Sequence, residues 1–238
     1  MRVMAVGWLA LAAALVPALA AAADAAVAPF TAEYDVRYGR IPGGTSHTAL
    51  AKSGDGWVLE TAATATGLAR VVAPATVLQR SEFEVVGEFP RPLRYLLDDG
   101  TKRTDRDVRL EFDWRAGRVH GIAEEMPVDL PLLPGLQDAA TLQVLVTARL
   151  RAGQEPDTIA MIEKGQVKHY RYTLLRREKV ATALGEFDTL VYRSTRDGSS
   201  RETISWHAPA LGFGVVQAQQ LVRGKLGFNT RIRSFKPG

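Results

Sequence analysis

The 238-residue chain contains no cysteine. That excludes disulfides, thiolate metal sites, a cysteine nucleophile and a lipid anchor on cysteine, so burial and sheet hydrogen bonding must supply the stability. Histidine is scarce. His47, His120, His169 and His207 stand in separate segments without the H-x-x-x-H spacing of a zinc site, so no metal and no cofactor is expected. Gly212, Gly214 and Gly224 do not lead from a strand into a helix, which argues against a phosphate cradle. Charge of one sign never accumulates: 30 Lys and Arg face 26 Asp and Glu, a net charge of +4. No nucleic-acid partner is expected from that balance, although a mild positive excess is compatible with an anionic membrane surface. Beyond the N-terminal region there is no apolar run near the roughly 20 residues of a membrane-spanning helix.

What the N-terminus does contain is an export signal. Arg2 precedes the apolar run from Val3 to Val16, Pro17 breaks it, and small residues continue through Ala25. This is the plan of a secretory signal peptide with A-x-A cleavage options between Ala18 and Ala25. Residues 1–25 are therefore expected to be removed near Ala20–Ala25. Residues 26–238 would then form one domain, free in the periplasm of a Gram-negative envelope and without a transmembrane segment.

Period-two alternation dominates that domain. Phe30, Ala32, Tyr34, Val36 and Tyr38 alternate with Thr31, Glu33, Asp35 and Arg37. Val108, Leu110, Phe112 and Trp114 alternate with Asp107, Arg109, Glu111 and Asp113. Each pattern predicts a half-buried antiparallel strand. Glycines at 165, 185, 198, 212 and 224 punctuate further strands at hairpin intervals. Pro90 and Pro92 place their segment at an edge or at the start of a strand. One segment differs: Asp138 stands at an N-cap, Leu142, Leu145, Val146 and Arg149 share a face, and Gly153 is a natural stop. The spacing predicts one long amphipathic helix near 138–152. About ten strands cannot lie flat. The predicted fold is therefore mainly β: a large curled antiparallel sheet, half-barrel or barrel, with that helix packed against it.

Several segments align, in order, with a known family. They are Phe30–Val36 with its Gly-Gly turn, Phe112-Asp113-Trp114 before Ala116-Gly117, Leu136–Leu142 at the helix start, Leu184–Leu190, and Trp206-His207-Ala208-Pro209. The chain resembles the exported bacterial family of domain-of-unknown-function 3108. At the helix start it has Asp-Ala-Ala-Thr where the family more often has Asp-Pro-x-Ser, with similar capping chemistry. The resemblance implies an envelope protein, and a curled sheet similar to the half-barrels that carry lipoproteins.

The residues leave three functions open. The first is a non-enzymatic periplasmic protein that binds or carries a lipid or other hydrophobic ligand. Tyr34, Trp57, Phe112, Trp114, Tyr170 and Trp206 are its candidate ligand-binding side chains, and each doubles as a candidate core residue. The second is an assembly or structural factor that grips an envelope protein partner through a sheet edge. The third is a hydrolase of envelope polymers built on Glu124, Glu125 or Asp129. No catalytic set is assigned. Ser46 and His47 point to opposite faces of one strand. Asp138 is explained as a structural helix cap. For Trp206 and His207, lining a cavity competes with a buried Trp206 beside an exposed His207.

Overall fold

The computed structural model describes residues 27–67, 70 and 75–238; the expected signal peptide and its cleavage sites lie outside the described residues. From the middle of a single sheet, a meander runs to one edge. It comprises β1 (Phe30–Tyr38), β2 (Ile41–Ser53), β3 (Gly56–Ala65), β4 (Thr76–Val86), β5 (Phe89–Asp98), β6 (Val108–Asp113), β7 (Arg118–Ala123) and β8 (Met126–Pro131). The chain then forms helix α1 (Thr141–Arg151) and restarts at the opposite edge with β9 (Thr158–Glu163). A second meander returns through β10 (Gln166–Thr182), β11 (Gly185–Thr195), β12 (Arg201–Ala208), β13 (Gly214–Val222) and β14 (Lys225–Pro237). β14 pairs antiparallel with β1, so the two ends of the domain meet in mid-sheet.

The alternation read from the sequence sets which face turns inward. In β6, Val108, Leu110 and Phe112 are buried while Arg109, Glu111 and Asp113 are exposed. The sheet curls until its edges approach without pairing, an open barrel. Lys164, in the β9–β10 turn, reaches Glu124, in the β7–β8 turn, at 2.5 Å. Neither edge is bare. The segment before α1 covers β9, with the Gln137 N–H donating to the Ala160 carbonyl and the Ile162 N–H donating to the Gln137 carbonyl. β8 carries Pro127 and Pro131, which have no N–H to offer an incoming strand.

α1 corrects the amphipathic expectation. Leu142, Leu145, Val146 and Leu150 pack in one cluster with Ile159, Met161 and Tyr192, while Ala140 and Val144 join another around Phe83, Leu110 and Phe112. The curled sheet wraps the helix, so both of its flanks need apolar cover and Gln143 is its one exposed residue. At its start, the Asp138 Oδ1 accepts the Ala140 and Thr141 N–H groups at 2.8 Å, and the Leu142 N–H donates to the Asp138 carbonyl. In return the Asp138 N–H donates to Thr141 Oγ1 at 3.1 Å, a reciprocal cap. The prolines of β5 also differ from expectation. β5 is an internal strand, but it pairs with β6 only from Arg94 to Leu97, so Pro90 and Pro92 stand where its outer side is unpaired. Their carbonyls are used instead, by Gln137 Nε2 and Trp114 Nε1.

Candidate functional site: a cavity between helix and sheet

The interior divides into a filled half and a hollow half. In the filled half, Phe83, Val119 and Leu136 are fully buried under the start of α1. In the hollow half, α1 and the concave faces of β1–β4 and β10–β14 enclose a cavity of about 1150 Å³. The reason is side-chain size. Across the register, one inward row runs Phe30, Leu50, Leu59, Ser81, Tyr95, but the next runs Ala32, Thr48, Thr61, Gln79. Ser46, Ala63 and Ala218 are likewise small inward residues on that wall. They cannot reach the helix, and the space remains.

The polar lining is neutral and mostly partnered. Thr48 Oγ1 and Thr61 Oγ1 lie 3.0 Å apart, and Gln79 Nε2 donates to the Tyr95 hydroxyl at 2.9 Å. The Tyr34 hydroxyl donates to the Val215 carbonyl at 3.0 Å, and burial pushes its pKa up to about 12. From the helix, Gln143, Thr147 and Arg151 line the cavity at i, i+4 and i+8. The polar stripe of α1 therefore faces an internal space. Among the described residues no Asp or Glu lines the cavity, and Arg151 is the one lining residue with a full charge at neutral pH; its Nε donates to the Gly212 carbonyl at 2.9 Å.

His207 stands at one wall. Its Nδ1 lies 3.1 Å from the Phe213 carbonyl, which can only accept, so Nδ1 carries the proton and Nε2 accepts from the Ser205 hydroxyl at 2.9 Å. This has the outline of a nucleophile and its base. Burial, however, drives the His207 pKa down to about 4. A base that weak takes a serine proton poorly at neutral pH. Through Phe213, His207 ties the end of β12 to the far side of the Pro209–Gly212 turn, which also lines the cavity.

The cavity brings together only two of the six candidate ligand-binding side chains. Tyr34 and Tyr170 line it. Phe112 is buried in the filled half, and Trp57 and Trp114 pack against the same cluster. Trp206 lies in a third cluster with Val191, Val216 and Ile232, and its indole N–H donates to Glu178. Trp206 is buried and His207 faces the cavity, so each of the two readings of that pair is half correct. The three carboxylates considered for hydrolysis have separate partners: Glu124 has Lys164, Glu125 has Thr104, and Asp129 has Arg118. None of them lines the cavity. The strand hydroxyls that line it, among them Ser46, Thr48, Thr61, Ser194, Thr203, Ser205 and Thr230, and the helix stripe went unread in the sequence. Their sequence signal is period-two strands whose inward positions hold Ser, Thr and Ala in place of Leu, Ile and Phe.

Fold and site together define a class: an open β-barrel, wrapped around one helix, with a large internal cavity and no metal or catalytic cluster at it among the described residues. The chain belongs to the family described as protein of unknown function (DUF3108), whose sequence profile matches residues 33–230. No curated protein matches the sequence significantly. Among solved structures it is similar to a β-barrel-like protein of domain of unknown function DUF1849 from Brucella abortus. That pair has a TM-score of 0.57 at 12% identity, covering 89% of this chain and 98% of the other. Looser matches are a protein assigned as a lipoprotein from Parabacteroides distasonis and one assigned as exported, with a YmcC-like fold, from Bacteroides fragilis. Their TM-scores are 0.36 and 0.33, at 10% and 8% identity, over 88% and 87% of this chain and 96% and 95% of theirs. The Brucella likeness is one of fold.

Proposed function

We propose that this is a non-enzymatic carrier of the bacterial periplasm that holds a lipid or another amphipathic envelope molecule inside the open barrel. The cavity carries the reading. At about 1150 Å³ it lies just above the few hundred to roughly 1,000 Å³ typical of small-molecule sites. Leu50, Leu59, Val146 and Phe235 supply apolar wall for a hydrocarbon portion. The neutral hydroxyl and amide rows, with Arg151, suit a polar head better than they suit a bare hydrocarbon. The N-terminal pattern of a signal peptide supports the compartment. Both edges of the sheet are shielded, which counts against capture of a partner by strand addition.

Native mass spectrometry of the chain purified from the periplasm tests this. A bound amphiphile should survive gentle ionisation. Ala218→Trp, which puts an indole into the hollow half, should bring occupancy close to zero while the melting temperature changes little. Parental occupancy in that variant would place the ligand elsewhere, and no bound molecule in either chain would remove the carrier reading.

A further inference from the structure

One end of the barrel concentrates exposed apolar side chains in cationic surroundings. Of the twelve large hydrophobic residues most exposed among those described, six stand at three connections: β1–β2, β3–β4 and β13–β14. Tyr38 and Ile41 are 72% and 69% exposed; Val77, Val222, Leu226 and Phe228 range from 38% to 42%. These connections are neighbours, because β4, β3, β2, β1, β14 and β13 are consecutive in the sheet. Tyr38 and Phe228 are register partners. The Gly39 N–H donates to the Gly227 carbonyl at 2.6 Å, and Asn229 Nδ2 donates to the Gly39 carbonyl at 2.8 Å, tying two of the tips together.

The charges at these tips have one sign. Arg37, Arg40, Arg70, Arg223 and Lys225 are exposed there. No Asp or Glu occurs within residues 36–54, 61–81 or 203–238. The acids at this end of the sheet stand on other strands and connections: Asp98, Asp99, Asp105 and Asp107 around the β5–β6 connection, Glu124 and Glu125 between β7 and β8, Glu163 at the end of β9, and Asp197 and Glu202 around the β11–β12 connection, with Glu202 opposite Leu221 at the border of the patch. The near balance of charge over the whole chain therefore hides a local segregation. Phe228 and Val77 also line the cavity, so the patch is continuous with its mouth.

We infer that this end docks on the surface of an anionic phospholipid bilayer, with Tyr38 and Ile41 entering the headgroup region and Arg40, Arg223 and Lys225 set against lipid phosphates. Interleaved basic and apolar side chains are the chemistry of interfacial binding, and tyrosine favours that depth. Each cation near an anionic surface contributes roughly a fivefold gain in partitioning. An acidic protein partner would satisfy the cations but gives less reason for two large side chains to stand some 70% clear of the fold. The docking inference does not rest on the carrier reading, although it would put the cavity mouth at the membrane.

Flotation of the mature chain with vesicles tests it. The chain should float with vesicles of phosphatidylglycerol and phosphatidylethanolamine and not with pure phosphatidylcholine. The triple variant Arg40→Gln, Arg223→Gln, Lys225→Gln should partition on the order of 100-fold less well. The double variant Tyr38→Ser, Ile41→Ser should lose the binding that persists when salt screens the charges. All five positions are exposed, so melting temperature and the ligand load seen by native mass spectrometry should stay parental, which separates this result from the carrier test. Failure to float with anionic vesicles, equal flotation with phosphatidylcholine, or parental flotation of either variant overturns the inference; in the first case, binding to an acidic protein through the same cations would be the surviving use of the patch.

Discussion

Asp138→Ala is expected to lower the free energy of unfolding by about 2–4 kcal/mol, the sum of a lost helix cap and a stranded buried hydroxyl. The carboxylate is fully buried and binds two helix N–H groups through one oxygen and the Ser81 hydroxyl, at 2.6 Å, through the other. It is thus both the cap of α1 and the polar tie between that helix and β4. Alanine leaves Ser81, itself buried, without this acceptor. Asp138→Asn keeps an acceptor for the two N–H groups, and the serine hydroxyl can turn to accept from the new amide. Chemical denaturation should therefore rank the asparagine variant close to the parent and the alanine variant well below it. Equal stability of the two variants would mean that the cap and the tie contribute nothing.

The same carboxyl sets a pH dependence of unusual sign. Burial outweighs the hydrogen bonds the carboxylate accepts and raises its pKa to about 6. The folded chain then holds this proton more tightly than the unfolded chain, whose aspartate titrates near 4. The resulting stabilisation is complete below about pH 4 and is lost as pH rises through 6. His207 does the opposite. Its pKa falls to about 4, so folding gains stability above its unfolded value near 6.5 and loses it as pH falls toward 4. Between pH 4 and 6.5 the two contributions oppose each other and are of similar size. Relative to the parent, Asp138→Asn should lose stability on acidification through this window, because only the His207 slope remains. Surface carboxylates contribute equally to both chains and cancel in the difference. Parallel pH profiles for variant and parent would disprove the opposition.

Phe83→Ala should cost about 3–5 kcal/mol, the range for removing a fully enclosed aromatic ring. Phe83 has no exposed surface and lies in the filled half with Leu59, Tyr95 and Leu110. The same change at Phe228, which is partly exposed at the cavity mouth, should cost less than about 1 kcal/mol, since that ring has few atoms around it to lose. The contrast separates a packed interior from a space kept open. Comparable losses at both positions in urea titrations would indicate that the hollow half closes around Phe228 in solution.

How much of this was legible before the fold was seen follows from what alternation can encode. Period two reports which residues turn inward, and it placed Val108, Leu110 and Phe112 correctly. It does not report what they meet. Trp206 could be read as cavity wall or as core, and alternation does not choose between them; it closes a separate small cluster with Val180 and Phe187 from the far end of the β10–β11 hairpin. The helix was legible from Asp138 to Gly153, but its Gln143, Thr147 and Arg151 stripe reads as a solvent face until the wall opposite is known. β8 went unread because Pro127 and Pro131 bracket a run of only six residues. Cavities are encoded by small residues, and Ser, Thr and Ala in a strand look the same whether a helix packs on them or not.

The junction of β1 with β14 has a consequence for the order in which the molecule can be made. Phe30 has Leu50 on one side and Pro237 on the other. The first strand to be synthesised thus acquires its second neighbour only when the last strand has followed it. Until then the nascent sheet presents a raw inner edge at its centre, the kind of surface that invites pairing with other chains. Pairing of such distant segments is also slow. A chain of this design has reason to be shielded while it is being made, and to assemble its barrel only after release of the C-terminus.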